Sequence, residues 1–289
     1  MSSVVPAPLA SVAGRLHCPV CRQPLAPGRG SLVCPQGHAY DVARQGYVTL
    51  LPAKSRAAAG DDAGMVAARV AIQGAGHFAP LTAALADTAD ALCGPEALVI
   101  LDVGAGTGHH LAGVLDVVGS ARGVALDASR AAVRRAARAH PRIAAVRGDT
   151  WQEIPLGDAM ADFALNAFAP RSGGELERIL RPGGAVLVVT PRPEHLHELA
   201  ALHTLRVDPW KHARLNRQLG SRLRPGGVRR LTWTLKLSRE EAGAVLRMGP
   251  AAKHLSRDLE RRLAGLAEPV TVTAAVELST FTRSARSPF

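Results

Sequence analysis

The chain has 289 residues, enough to bury a sizeable core in one large domain with a small appendage. A formal net charge of +11 and an isoelectric point near 10.6 oppose a basic partner and favour a polyanion, although surplus charge often does no more than solvate a surface. No apolar run approaches the roughly eighteen residues of a transmembrane helix, and Met1 to Ala13 lacks the basic segment of a secretory signal, so a cytoplasmic protein without a membrane partner is expected.

The first residues, broken by Pro6 and Pro8, read as a short disordered leader. Cys18, Cys21, Cys34 and His38 follow in the spacing Cys-x2-Cys-x12-Cys-x3-His. Two thiolates from one tight turn and a Cys/His pair from another form the donor set of a tetrahedral, structural Zn2+ site. Pro19 and Pro24 shape the first turn; Pro35 and Gly37 shape the second. A redox Cys-x-x-Cys would instead open a helix within a βαβ unit, and this pair lies in a β-rich segment with strands expected at Ser31–Val33 and around Tyr47. Such a module has too little core to fold without its metal.

Ala53 to Gly64 is small and polar and reads as a linker. Helices are expected over Met65–Ile72 and, with proline at its first turn, Pro80–Leu92. Cys93 reads as a small apolar filler. From Leu98 the chain alternates strand and helix. Strands are expected at Leu98–Val103, Arg122–Leu126, Ile143–Arg147, Ala161–Leu165 and Ala185–Thr190, and helices at His109–Val118, Arg130–Ala139 and Gly174–Leu180. That alternation predicts an α/β fold with a parallel, doubly wound Rossmann-like sheet, whose ligands bind beyond the carboxyl ends of the strands. Asp102, Gly104, Gly106, Asp127, Asp149, Asn166 and Thr190 all fall at those ends. A basic, irregular stretch from His195 to Arg230 contains Trp210, a composition suited to phosphates and a stacked base or simply to a solvated surface. Ser238-Arg239-Glu240-Glu241 is a capping box opening a helix through Met248, and Arg230–Leu237 and Val270–Leu278 alternate as strands. The chain thus divides into a zinc-ribbon-like module (1–52), a linker with helices (53–94) and an α/β domain (95–289).

The first strand runs into Asp102-Val103-Gly104-Ala105-Gly106-Thr107-Gly108. This Asp-x-Gly-x-Gly-x-Gly spacing differs from that of pyrophosphate binders and resembles the first motif of class I S-adenosylmethionine (SAM) methyltransferases. Asp127, about twenty residues on, stands where Rossmann-like sheets place the carboxylate that accepts from a ribose diol.

Together, the Cys/His knuckle, Gly46-Tyr47-Val48-x-Leu50-Leu51-Pro52, Gly76-His77-Phe78-x-Pro80-Leu81, the glycine motif, Ala169-Pro170, Arg181-Pro182-Gly183-Gly184 and Thr190-Pro191-x-Pro193-x-His195-Leu196 resemble the large-subunit rRNA guanine-N1 methyltransferases of the RlmA/TlrB type. The resemblance runs from about Leu16 to Met248-Gly249-Pro250. It implies SAM-dependent methylation of guanine N1 in a domain II hairpin of 23S rRNA and, in one branch, resistance to mycinosylated macrolides such as tylosin and mycinamicin. It also implies zinc ligation by Cys18, Cys21, Cys34 and His38, and SAM contacts from Phe78, Gly106, Thr107 and His195, beside Asp102, Gly104, Asp127 and Asp149. Phe78 stands where a tyrosine is usual, and Asn166 where relatives can carry a basic residue. A homodimer aligning two zinc modules on one RNA is a further implication.

Methylating N1 requires a place for its proton. Asp149 and His195 are candidate bases, with contact to SAM the competing role of each. Arg15, Arg22, Arg29 and Arg44 are candidate phosphate contacts for a zinc module that presents basic groups to RNA while a base flips. Two other readings compete: a small-molecule methyltransferase, which needs neither zinc ribbon nor basic insert, and a non-enzymatic RNA-binding protein, against which the intact Asp102, Gly104, Gly106 and Asp127 argue. Loss of RNA affinity on chelation with SAM binding retained would separate the roles of the two modules.

Overall fold

A computed structural model describes residues 4–52, 60–94, 99–150, 153–202, 210–249, 252, 255 and 257–285. Most of the linker expected at Ala53–Gly64 lies outside these residues, as do Leu98, Arg206 and Pro250.

The N-terminal segment is a helix, α1 (Ala7–Val12), where disorder was expected. Its prolines do not break it. Pro6 is the N-cap and Pro8 sits in the first turn, where a missing N–H costs nothing. Val5, Leu9, Val12 and Leu16 are all buried, an apolar stripe at helical spacing, and full burial of a Leu or Val contributes about 1.5–3 kcal/mol. The helix packs on strands of the main sheet, β6 (Arg122–Asp127) and β7 (Ile143–Arg147).

After α1, β1 (Ala26–Pro27), β2 (Ser31–Val33) and β3 (Ala39–Asp41) form an antiparallel three-stranded ribbon. The next strand, β4 (Tyr47–Thr49), leaves the ribbon and pairs in parallel with β7, Val48 opposite Val146. The division drawn at residue 52 therefore leaves on its N-terminal side a strand of the large sheet. Two helices follow, α2 (Ala63–Gly74) and α3 (Ala79–Leu92), the first capped by Asp62, which accepts from Met65 N–H at 2.9 Å.

From β5 (Val99–Val103) the expected alternation appears: α4 (His109–Val117), β6, α5 (Arg130–Ala136), β7, β8 (Ala161–Ala167), α6 (Gly173–Ile179), β9 (Leu180–Pro191), α7 (Lys211–Gly220), β10 (Arg224–Leu237), α8 (Arg239–Arg247), α9 (Leu259–Ala264) and β11 (Val270–Thr282). Most bounds agree with the expected ones within a few residues. The exceptions have local causes. β9 starts before the expected Ala185, and Arg181–Gly184 forms its irregular start, where Gly183 takes φ +78° and its N–H donates to Arg283 O at 3.0 Å. β10 and β11 each outrun the apolar pattern, because antiparallel pairing from Arg224↔Thr282 to Leu237↔Val270 satisfies the backbone however polar the side chains are. The irregular basic stretch contains the ordered helix α7.

The sheet order is β10-β11-β9-β8-β5-β6-β7-β4. All pairs from β4 to β9 are parallel, and β11 runs antiparallel to both neighbours. The chain works outward in opposite directions on either side of β5, which creates a topological switch point beyond its carboxyl end.

Each face of the sheet has its own apolar core. Ile72, Leu81, Leu85, Leu111, Val114 and Leu246 cover one face. On the other, Leu9, Leu16, Leu25 and Leu32 join Leu101, Val124, Leu126 and Val146, so the ribbon is built into the core of the α/β unit. Backbone bonds stitch the two further: His17 N–H to Pro155 O (3.2 Å), Gly157 N–H to Arg15 O (2.9 Å) and a bridge between Leu16 and Leu156. No described helix is long and apolar enough to cross a membrane.

Candidate active site and metal centre

The four expected metal ligands converge, with all donor atoms within 4.8 Å of one another. Cys34 Sγ lies 3.3 Å and Cys18 Sγ 3.6 Å from His38 Nδ1, and Cys21 Sγ is 3.5 Å from Cys34 Sγ. A tetrahedral zinc with bonds near 2.3 Å to sulfur and 2.0–2.1 Å to nitrogen has edges of about 3.5–3.8 Å. The donor set and its size therefore fit Zn2+. Burial opposes ionisation of the Cys18 thiol, but hydrogen bonds from Tyr40 Oη (3.0 Å) and the Cys21 and Val20 N–H groups outweigh it and lower the thiol to about 6. Tyr40 thus supports the thiolate that binds metal.

At the switch point, β5 ends in the glycine turn. Gly104 and Gly106 take φ +79° and +55°, left-handed conformations that glycine adopts without penalty. A Cβ on Gly104 would collide with Ala169, so the turn packs against the loop after β8. Leu126 O accepts from Gly104 N–H (2.8 Å) and Ala105 N–H (3.0 Å), while Asp127 accepts from Gly106 N–H and Ser129 N–H, both at 2.8 Å. Asp127 thereby ties the turn to the end of β6. Burial raises its pKa, and those two N–H donors pull the other way. Asp102, buried beneath the turn, is pushed up to about 7 by burial and then by the charge of Asp127.

These elements surround an open cleft of about 230 Å3. Gly104, Gly106, Asp127 and Asp149 line it. Thr107 lies beside them, buried, and donates to Gln73 Oε1 at 2.5 Å. His195 reaches the cleft indirectly by stacking on Phe168, which lines it (centroids 5.8 Å apart, planes at 23°). Phe78 is instead buried in the core, edge-on to Trp233 at 5.9 Å. Asn166 is also structural. Its amide donates to Val103 O and Pro170 O and accepts from Arg171.

Sequence reasoning missed the wall contributed by α2 and the residues before it. Asp61, Met65 and Arg69 line the cleft. Arg69 pairs with Asp61 (2.6 Å), donates to Met248 O (2.6 Å), and lies against Gly106 with a buried Nε that has no hydrogen-bond partner among the described residues. An arginine within the apolar run Met65–Ile72 was the available signal. Phe168, the other omission, sits between Ala167 and Ala169 without periodicity to mark it. Of the four arginines expected to meet phosphate, Arg15 bonds Met160 O and Arg22 pairs with Glu153, whereas Arg29 and Arg44 are exposed.

The glycine cradle, the Asp127 and Asp149 carboxylates and an Arg69 Nε without a partner among the described residues suit a zwitterionic nucleoside. Residues 16–58 match the zinc-ribbon family described as RlmA, N-terminal, and residues 100–184 match a methyltransferase domain family. A putative 23S rRNA (guanine-N(1)-)-methyltransferase of Micromonospora griseorubida is 49% identical over 286 residues, covering 92% of this chain and 96% of the relative. The 23S rRNA (guanine(748)-N(1))-methyltransferase of Streptomyces fradiae is 49% identical over 264 residues, covering 90% and 94%.

The chain belongs to the 23S rRNA (guanine-N1)-methyltransferase family.

The methyltransferase also shares its fold with a more distant structure, that of a Haloferax volcanii putative methyltransferase complexed with the Trm112 activator (TM-score 0.53, 19% identity, 78% of this chain and 100% of that one). Its cofactors are SAM, which supplies an electrophilic methyl group on a sulfonium, and a structural zinc. Beside the cleft, His195 has a defined chemical state. Its Nδ1 accepts from Ala275 N–H at 3.2 Å, which puts the proton of the neutral ring on Nε2, and burial lowers its pKa to about 4. At neutral pH the ring is a hydrogen-bond donor.

Proposed function

We propose that this methyltransferase modifies N1 of a guanine in a domain II hairpin of 23S rRNA, and that the modification confers resistance to mycinosylated macrolides of the tylosin and mycinamicin type. The observation that carries the reading is the union of a Cys3His ribbon and a glycine-turn cleft in one packed unit, in a chain 49% identical over nine-tenths of its length to an enzyme named for guanine 748 N1.

Gly104, Gly106 and Asp127 line the cleft and are assigned to SAM, with Asp127 accepting from the ribose diol and Asp102 supporting the turn from below. Thr107, Phe78 and His195 act from outside the cleft lining. The N1 proton must leave before the ring nitrogen can attack a methyl group. His195 is a poor acceptor, because its available lone pair already receives the Ala275 N–H. Asp149, on the cleft wall beyond β7, takes that role or hydrogen-bonds the SAM adenine. Exposed Arg29 and Arg44 place the zinc ribbon against phosphate, and two copies would double that basic surface on one RNA.

Primer extension across domain II after incubation with the protein and SAM tests this directly, since an N1-methyl group blocks the Watson–Crick edge. A SAM-dependent stop at one hairpin guanine is expected. No stop, with zinc content and SAM binding verified, would overturn the guanine-N1 assignment in favour of a small-molecule substrate.

A further inference from the structure

The loop after β8 carries a feature that neither packing nor cofactor binding explains. Phe168 has φ +57°, a left-handed conformation unfavourable for a bulky side chain, and its N–H is held by Val189 O at 3.1 Å. Its side chain does not enter the core. Phe168 is 37% exposed, among the few large apolar residues so placed among the described residues, and it lines the cleft while stacked against the half-buried ring of His195. The His195 ring is held in turn by Ala275 N–H, and its backbone N–H donates to Arg192 O.

Sheet order says which half of the cleft this is. β6 and β7, whose ends carry Asp127 and Asp149, lie on one side of β5, and β8 lies on the other. With the ribose at Asp127, the adenosine half extends toward β6 and β7. Phe168 flanks the opposite half, where a second planar molecule must approach the transferable methyl group.

We propose that Phe168, stacked on His195, is the platform on which the flipped target guanine stacks. The proposal rests on the rRNA guanine reading above. An extruded base loses its stacked neighbours, and an exposed aromatic face replaces one of them without reading sequence. The left-handed backbone at the end of β8 turns the ring into the cleft, and the loop's contact with Gly104 sets it beside the cofactor turn.

Phe168→Ala, Phe168→Leu and Phe168→Trp test this in the full-length, zinc-loaded protein. Three readouts apply: SAM affinity by calorimetry, kcat/KM on a domain II hairpin, and emission from a hairpin with 2-aminopurine at the guanine that wild type methylates. Stacking on an aromatic ring corresponds to roughly ten- to hundred-fold per base. The Ala and Leu variants should lose kcat/KM by about that factor while SAM affinity stays within about twofold, and Trp should restore activity. The 2-aminopurine emission of the Ala complex should differ from that of wild type. SAM affinity falling in step with activity would assign the ring to the cofactor and overturn the platform, as would undiminished kcat/KM in the Ala variant. If wild type itself produces no stop in primer extension, the guanine reading fails first, and that result is distinct from a wild-type stop that Phe168→Ala leaves intact.

Discussion

Asp102 shows how one residue can serve the site at a cost to the fold. An unfolded chain releases this proton near the ordinary 3.8, whereas the folded protein holds it to about 7 because burial and Asp127 disfavour the charge. Asp102 therefore costs nothing below about pH 4, and its cost grows as pH rises to 7 and then levels off, reaching at most about 4 kcal/mol. Asp102→Asn removes the titration while keeping the shape. The variant's melting temperature should match wild type near pH 4 and exceed it increasingly toward pH 7, when each is followed by circular dichroism. A constant difference across that range would refute the argument. Arg69 is the converse case: it is anchored by Asp61 and Met248 O while its Nε lies buried against Gly106. Its place on α2 was visible in the sequence as a charge among apolar residues, but its use was not, because nothing local says that α2 packs across the carboxyl edge of a sheet whose central strand, β5, begins about thirty residues later.

At the scale of elements, the zinc ribbon and the segment after β7 behave as one unit. That segment carries Asp149 into the cleft and then runs beneath the ribbon, where Pro155, Leu156 and Gly157 bond Arg15, Leu16 and His17, and Glu153 pairs with Arg22 at 2.6 Å. Without zinc, three cysteines and a histidine are left packed together with nothing to bind them, and a ribbon of this size does not fold alone. Chelation is thus expected to weaken SAM binding several-fold as well as RNA binding, measured by calorimetry before and after metal removal and again after zinc is restored. Unchanged SAM affinity in the zinc-free protein would show that the ribbon and the cleft fold independently. The same coupling explains why a boundary at residue 52 looked natural. Composition changes there, but β4 had already crossed to the edge of the large sheet.

For the whole molecule, the excess of 35 basic over 24 acidic residues becomes meaningful once the structure sorts exposed from committed charge. Arg15, Arg22, Arg69, Arg142 and Arg178 are bound to protein groups, whereas Arg29 and Arg44 project from the ribbon. Affinity for the rRNA hairpin should fall linearly on logarithmic axes with salt. Replacing both exposed arginines with glutamine should reduce that slope by about 1.4, at roughly 0.7 per phosphate contact on single strands. Fluorescence anisotropy over a salt series reads the change, and an unaltered slope would place the RNA elsewhere on the surface.

Features set by local chemistry were legible in the amino-acid sequence alone. The Cys-x2-Cys-x12-Cys-x3-His spacing specifies a tetrahedral donor set, Asp102 to Gly108 specifies a turn that tolerates no Cβ at Gly104, and alternating apolar runs specify a doubly wound sheet. The tertiary structure decided what depends on distant packing. It made a helix of a proline-containing leader by giving Leu9 and Val12 a sheet to cover, and drew β4 out of the ribbon to pair with β7. It left Phe78 in the core while exposing Phe168 at the cleft. The reason in each case is that periodicity and spacing encode which face of a segment is apolar, whereas the partner of that face is chosen by segments far away in the chain.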